Sequence, residues 1–330
     1  MSADLLMKLM HGYKLSYLLF YAADKGIFNY LIEKVTIQHI SKDINFIMVE
    51  KLEIMLNLFV GIGLLKKEQD HYFLHPEYVK LLNSESKESI IPLLKLEKYL
   101  MDQHNTYDKL VLSLEEEGAD RFNKSGKEGL EDTYGQAMQN GGNFAAMQIG
   151  RIFRRLKKNT PKILDIGGGG GSYAISIVKC YPNAKVDVYE RSEMEKICIE
   201  NIKTHNLERS IFFHHVDITK SAILNKYDGI LISNVLHLYN REMIDNMIKR
   251  VSKSLEKDGL LVLHDFFLAE NHIEPSIPLL FTIDWLMIGA SFNYSANDME
   301  KIALSHGLNL IEVKNYKEIP TTILIFKKGA

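Results

Sequence analysis

Lys162-Ile163-Leu164-Asp165-Ile166-Gly167-Gly168-Gly169-Gly170-Gly171-Ser172 is the stretch whose reading decides the fold. A short apolar strand carries an acid near its end, and five consecutive glycines lead into the helical pattern Ser172–Cys180. Glycine lets backbone approach a ligand closely and adopts positive φ at little steric cost. Strand, glycine loop and helix in this order predict a nucleotide or nucleoside held at the carboxyl end of a sheet.

Downstream, strand patterns at Lys185–Tyr189, Ile211–His215, Gly229–Ser233 and Leu260–His264 alternate with helical segments. That alternation predicts a doubly wound parallel sheet with right-handed crossovers. Leu308–Val313 and Thr321–Phe326 are separated by only seven residues, among them Pro320. So short a gap cannot hold a helical crossover, so the last two strands are expected to be antiparallel. The expectation is an α/β domain over 161–330 with a mostly parallel, seven-stranded sheet.

Upstream, residues 1–33 read as helix, with Leu5, Leu6, Leu9, Tyr13, Tyr17, Phe20 and Tyr21 at three- and four-residue spacing. Apolar residues cover more of this helix than one core-facing stripe needs, which predicts burial against a second subunit. Two shorter helices follow, one after Thr36 as N-cap and one over Met48–Val60. Leu64–Lys67 and Tyr72–Leu74 then pair as a hairpin. Three helices and a hairpin make a winged helix over 1–85. Its second short helix carries Glu50, Lys51 and Glu53 and no arginine, whereas duplex binding needs clustered cations, so dimerisation is the expected use and nucleic acid is not an expected partner. Residues 86–160 read as a less regular helical linker lending residues to a substrate pocket, Met138 and Phe144 among them.

The 330 residues are 46% apolar and 25% charged with a net charge of −2, enough for a large core and without general attraction to nucleic acid or anionic membrane. Cys180 and Cys198 have no Cys or His neighbour at metal-ligand spacing, so they read as free thiols and no metal is expected. With no cleavable signal pattern and no apolar run near the roughly 20 residues of a membrane span, a cytoplasmic protein is expected.

Gly169-x-Gly171-x-x-Ala174 fits the dinucleotide template, but five glycines satisfy many templates. Asp165 just before the loop, the helical domain ahead of it and the closing hairpin all depart from a nicotinamide fold. The same pieces suit S-adenosylmethionine, which has an ammonium, a carboxylate, a ribose diol and an adenine. Asp165 attracts the ammonium, and amides of the loop at Gly167 and Gly169 line the ligand. Glu190, 25 residues on at a strand end, accepts from the ribose hydroxyls. Asp217 meets the adenine amino group, with Ile218 packed on the ring.

Asp165-x-Gly-Gly-Gly-x-Gly, Glu190, Asp217 and Ser233-Asn234-Val235-Leu236-His237 resemble the S-adenosylmethionine-dependent O-methyltransferases of small molecules, the acetylserotonin and caffeate type in its bacterial branch. The resemblance implies a Rossmann-like methyltransferase domain, an N-terminal all-helical winged-helix dimerisation domain and a homodimer. It implies His237 as general base, oriented by Asp265 after the fifth strand, and Ser233 near the adenine. An imidazole with an ordinary pKa near ~6.5 suits proton removal at neutral pH. Leu238-Tyr239 stand where family members commonly carry Asp-Trp, and Tyr294 stands in place of an arginine. His264 reads as a structural strand-end residue. Phe281 and Trp285, within an aromatic cluster over 266–292, suit a lid over a flat aromatic or polyketide-like acceptor. N-, S- or C-methylation, non-methylating chemistry on the same fold, and a winged-helix regulator sensing a small molecule stay open beside O-methylation.

Overall fold

The computed structural model describes residues 3–44, 49–103, 144–219, 221–273, 278–282, 294–317 and 319–329. Met138 and Trp285 lie outside the described residues. The described chain divides into two units, residues 3–103 and residues 144–329.

In the first unit, α1 (Ala3–Asp24) ends earlier than the apolar pattern over 1–33 suggests, because Gly26 adopts φ 66° and breaks the helix before the short α2 (Ile27–Tyr30). Thr36 caps α3 (Ile37–Asp43) as expected, its hydroxyl accepting from the His39 amide, and α4 (Val49–Gly61) follows. The strands β2 (Leu65–Glu68) and β3 (His71–Leu74) form the hairpin, and β1 (Val35–Thr36) adds a third strand beside β3. Helices α5 (Val79–Leu82) and α6 (Ile91–Gln103) complete the unit. Ile91 and Leu94 of α6 sit in the same core as Phe28, Leu56 and Phe59. Within the described part of 86–160, Ile91 and Leu94 of α6 join this core, whereas Ile149, Ile152 and Phe153 join the core of the second unit. Leu6, Leu9, Met10, Tyr13 and Tyr17 of α1 remain exposed, Leu6 at 70%.

The second unit is built on a seven-stranded sheet: β4 (Lys162–Ile166), β5 (Lys185–Glu190), β6 (Ile211–His215), β7 (Tyr227–Ser233), β8 (Leu255–Asp265), β9 (Leu308–Asn315) and β10 (Thr322–Lys328). Their order across the sheet is β6-β5-β4-β7-β8-β10-β9. The first five are parallel, and β10 runs antiparallel to both β8 and β9, the pairing with β9 being the one the short final connection requires. Central β7 is buried at every position, and its Ile230-Leu231-Ile232 segment is accordingly apolar without alternation.

Helices α7 (Ser172–Cys180), α8 (Glu195–Thr204), α9 (Arg241–Ser254) and α10 (Ala296–Ser305) connect the strands. In α9, Ile244, Met247, Ile248 and Val251 recur on one face and are buried, and Asn240 caps its start by accepting from the Met243 amide at 3.0 Å. Ser295 and Asp298 form a reciprocal capping box on α10. Among the described residues no helix is long and apolar enough to cross a membrane.

Candidate active site

The carboxyl ends of β4, β5, β7 and β8 converge where the sheet order reverses, between β4 and β7. Such a reversal opens a crevice that binds ligands in open α/β sheets. The glycine loop leaves β4 here. A Cβ on Gly167 would stand 2.3 Å from Val235 Cγ2, so only glycine fits between the β4 and β7 ends. Gly169 is different: its φ is 51°, yet nothing lies within 4 Å of the position a Cβ would take. The backbone there faces open space that a ligand can fill.

Asp165 lies beneath this loop with no exposure, and neither carboxylate oxygen has a hydrogen-bond partner. Burial first, and then the nearby Glu190 charge, raise its pKa from 3.8 to about 7, with the Ala174 amide opposing. An unpartnered buried carboxylate is costly, and a cationic ligand would relieve the cost. That is the fit expected of a group bearing an ammonium. Glu190 Oε2 accepts from the Gly169 amide at 3.1 Å, and its Oε1 accepts from the Arg191 amide at 2.8 Å. Glu190 thus ties the end of β5 to the open glycine. Asp217 Oδ1 accepts from both the amide (2.9 Å) and the hydroxyl (2.6 Å) of Thr219, and the adjacent Ile218 is buried. Tyr239, not singled out as a site residue from sequence, joins this group. Burial and then the Asp217 charge push its hydroxyl pKa up, with Arg191 opposing and Glu190 adding to the rise. Only its place after His237 in the chain could have suggested it.

Ser233 is buried at the end of β7. Its hydroxyl bonds His264 Nδ1 at 2.8 Å, inside a buried chain that continues from His264 Nε2 to Thr321 Oγ1 at 2.6 Å. Burial lowers the His264 pKa from 6.5 to about 4, so this imidazole is neutral and structural. The expected role of Ser233 as a cofactor ligand therefore gains no geometric support, because its side chain is occupied by a partner that lies 31 residues away in sequence.

His237 and Asp265 meet as expected. Nδ1 of His237 lies 2.8 Å from Asp265 Oδ1, and the His237 side chain is 13% exposed against 0% for the carboxylate. Asp265 also accepts from the Leu236 amide at 3.0 Å and the Phe266 amide at 2.9 Å. Burial by itself would raise the Asp265 pKa, but the His237 contact and the Phe266 amide outweigh it, and the net shift is downward. The His237 ring stands edge-on to Phe266 (6.3 Å between centroids), which in turn packs on Phe281 at 4.8 Å. Phe281 is thereby gathered to the base. Phe144 is not: it packs edge-on against Tyr316 at 5.3 Å, and Tyr316 joins the core on the other sheet face from Phe266 and Phe281. Among the described residues no cluster of three or more metal-ligating side chains occurs.

Comparison with known proteins places this geometry. The family described as "O-methyltransferase domain" matches residues 105–309. Acetylserotonin O-methyltransferase of Gallus gallus is 24% identical over 163 residues, 49% of this chain and 46% of that protein. The chain thus spans about half the length of this curated relative. An O-methyltransferase family protein from Burkholderia thailandensis superposes with a TM-score of 0.83 at 16% identity, over 100% of this chain and 99% of that one. Human N-acetylserotonin methyltransferase, solved in complex with SAM, superposes with a TM-score of 0.79 at 18% identity, over 99% and 97% of the two chains. At such identities the two structures carry the fold alone. The family match covers more than half of the sequence and includes the glycine loop, Glu190, Asp217 and the His237–Asp265 pair, and the chain belongs to the O-methyltransferase domain family.

Proposed function

We propose that this protein is an S-adenosylmethionine-dependent O-methyltransferase acting on a hydroxyl of a small aromatic or polyketide-like metabolite, with His237 as general base. The observation that carries the catalytic part is the His237–Asp265 contact. Asp265 takes three donors, which hold it ionised although fully buried. An ionised Asp265 requires the proton of His237 on Nδ1, leaving Nε2 as the basic nitrogen. Human N-acetylserotonin methyltransferase with bound SAM supports the cofactor, as do the unpartnered Asp165 and the open face of Gly169.

When bound, S-adenosylmethionine supplies an electrophilic methyl carbon on a sulfonium. The chain's own part is positioning and proton removal. His237 Nε2 takes the acceptor's hydroxyl proton, and the bound cofactor would supply the methyl group, its carbon–sulfur bond breaking with the electron pair left on sulfur. Asp265 stabilises the resulting imidazolium without itself taking the proton. Phe266 and Phe281 give the acceptor an apolar wall beside the base, which restricts its orientation at the moment of attack. His237→Ala tests the assignment: a base contributes roughly 10²–10⁴-fold to turnover. A loss of tenfold or less with an unchanged pH profile would favour N-, S- or C-methylation instead.

The exposed apolar face of α1 supports pairing with a second copy into a homodimer. Light scattering on the full chain should give twice the monomer mass, and Leu9→Glu with Tyr13→Glu should halve it.

A further inference from the structure

Asn234 follows β7 directly and adopts φ 53°, in the left-handed region. Its backbone amide donates to the His264 carbonyl at 2.8 Å, which anchors the residue between β7 and β8. Its side-chain nitrogen points toward the Tyr173 hydroxyl at 3.5 Å. The side-chain oxygen is buried and has no partner. Among the described residues, the buried side-chain atoms left in this condition are this oxygen and both carboxylate oxygens of Asp165.

The unpartnered groups are neighbours through the fold. β4 and β7 run parallel with Asp165 opposite Leu231 and Ile166 opposite Ile232, so Gly167 and Asn234 leave adjacent strand ends. Val235, the next residue, closes against Gly167. Tyr173 stands by both, touching Asn234 and feeling the Asp165 charge at its hydroxyl. Three buried acceptor atoms without a hydrogen-bond partner, two of them on a carboxylate that also faces Glu190 and is opposed only by the Ala174 amide, describe a site short of positive charge. A hydroxyl donor would satisfy one oxygen and leave the buried charge uncompensated. A primary ammonium brings three N–H donors and the missing charge together.

We propose that Asn234 is a cofactor-binding residue: its side-chain oxygen and the Asp165 carboxylate together receive the primary ammonium at the amino-acid end of S-adenosylmethionine. This rests on the cofactor reading above. It assigns a binding role to a side chain that neither the glycine motif nor the strand-end acids include.

The test is calorimetric titration of the full chain at pH 8 with S-adenosylhomocysteine and, separately, with 5′-methylthioadenosine, which lacks the amino-acid end. Asn234→Gly tolerates the positive φ and removes the oxygen. It should weaken S-adenosylhomocysteine about tenfold and change 5′-methylthioadenosine less than about twofold. Asn234→Asp keeps an oxygen acceptor and should retain most of the S-adenosylhomocysteine affinity. Equal losses for both nucleosides, or no loss for either, would overturn the assignment of Asn234. An unmodified chain that binds neither nucleoside would overturn the cofactor reading itself, a different outcome.

Discussion

Asp165→Asn should make the ligand-free protein more stable at pH 8 relative to pH 4.5 while removing its affinity for the cofactor. In the fold the carboxyl titrates near 7, and in the unfolded chain near 3.8. Between those values the unfolded chain releases its proton while the folded chain keeps it, so stability falls as pH rises and levels off above 7. The full loss is about 4 kcal/mol, at 1.36 kcal/mol for each pH unit separating the two titrations. About 1 kcal/mol of it has already gone by pH 4.5, leaving about 3 kcal/mol between pH 4.5 and 8. His264 hides this in the unmodified protein. Its pKa falls from 6.5 to about 4 on folding, so its contribution is present above 6.5 and is lost as pH falls through 4. The two slopes are of opposite sign in nearly the same window. The informative quantity is therefore the difference between Asp165→Asn and the unmodified chain, compared at the two pH values. That double difference also cancels the cost of the new amide's unpartnered donors. Urea unfolding followed by circular dichroism, without ligand, should show it as about 3 kcal/mol. Stability differences that are equal at pH 4.5 and 8 would refute the claim that Asp165 sits uncompensated in the empty site.

Other substitutions separate the remaining roles. Asp265→Asn removes the carboxylate that fixes the His237 tautomer and should lower turnover roughly 10²–10⁴-fold, with S-adenosylhomocysteine affinity changed less than about threefold. Steady-state kinetics beside calorimetry checks this. Gly167→Ala drives a methyl into Val235 and should lower the melting temperature. Gly169→Ala meets no neighbour and should cost only about 1–2 kcal/mol of backbone strain while blocking the nucleoside. Thermal melts with and without S-adenosylhomocysteine distinguish the two. Phe281→Ala opens the wall beside Phe266 and should raise KM for an aromatic acceptor about tenfold with little effect on cofactor binding, measured with whichever phenolic acceptor a methyl-incorporation screen selects.

Much of the sheet was legible because its strands announce themselves. Lys162–Ile166 and Ile211–His215 were bounded as found, and the antiparallel closing pair followed from a seven-residue gap. β8 proved longer than expected, since its first residues pair with Tyr227 across a register shift that no local pattern marks. The break after Asp24 was missed because apolar spacing continues through Gly26, whose positive φ ends the helix. In the site, the acids at strand ends were visible as residues in sequence, and the His237–Asp265 contact came from the family resemblance. What could not be read were properties of the assembled interior. Ser233 is drawn inward by His264, which is itself held by Thr321, 57 residues further along. Phe144 belongs by composition to an aromatic pocket, yet it packs on Tyr316. Asn234 is ordinary in sequence and becomes distinctive only because its oxygen is buried without a partner.

Calorimetric titration of the full chain at pH 8 with S-adenosylhomocysteine and with NAD tests the cofactor assignment most directly. Saturable one-to-one binding of S-adenosylhomocysteine, with no heat from NAD, is the predicted result. Tight binding of NAD with no response to S-adenosylhomocysteine would contradict it and return the glycine loop to the dinucleotide template that Gly169, Gly171 and Ala174 also fit.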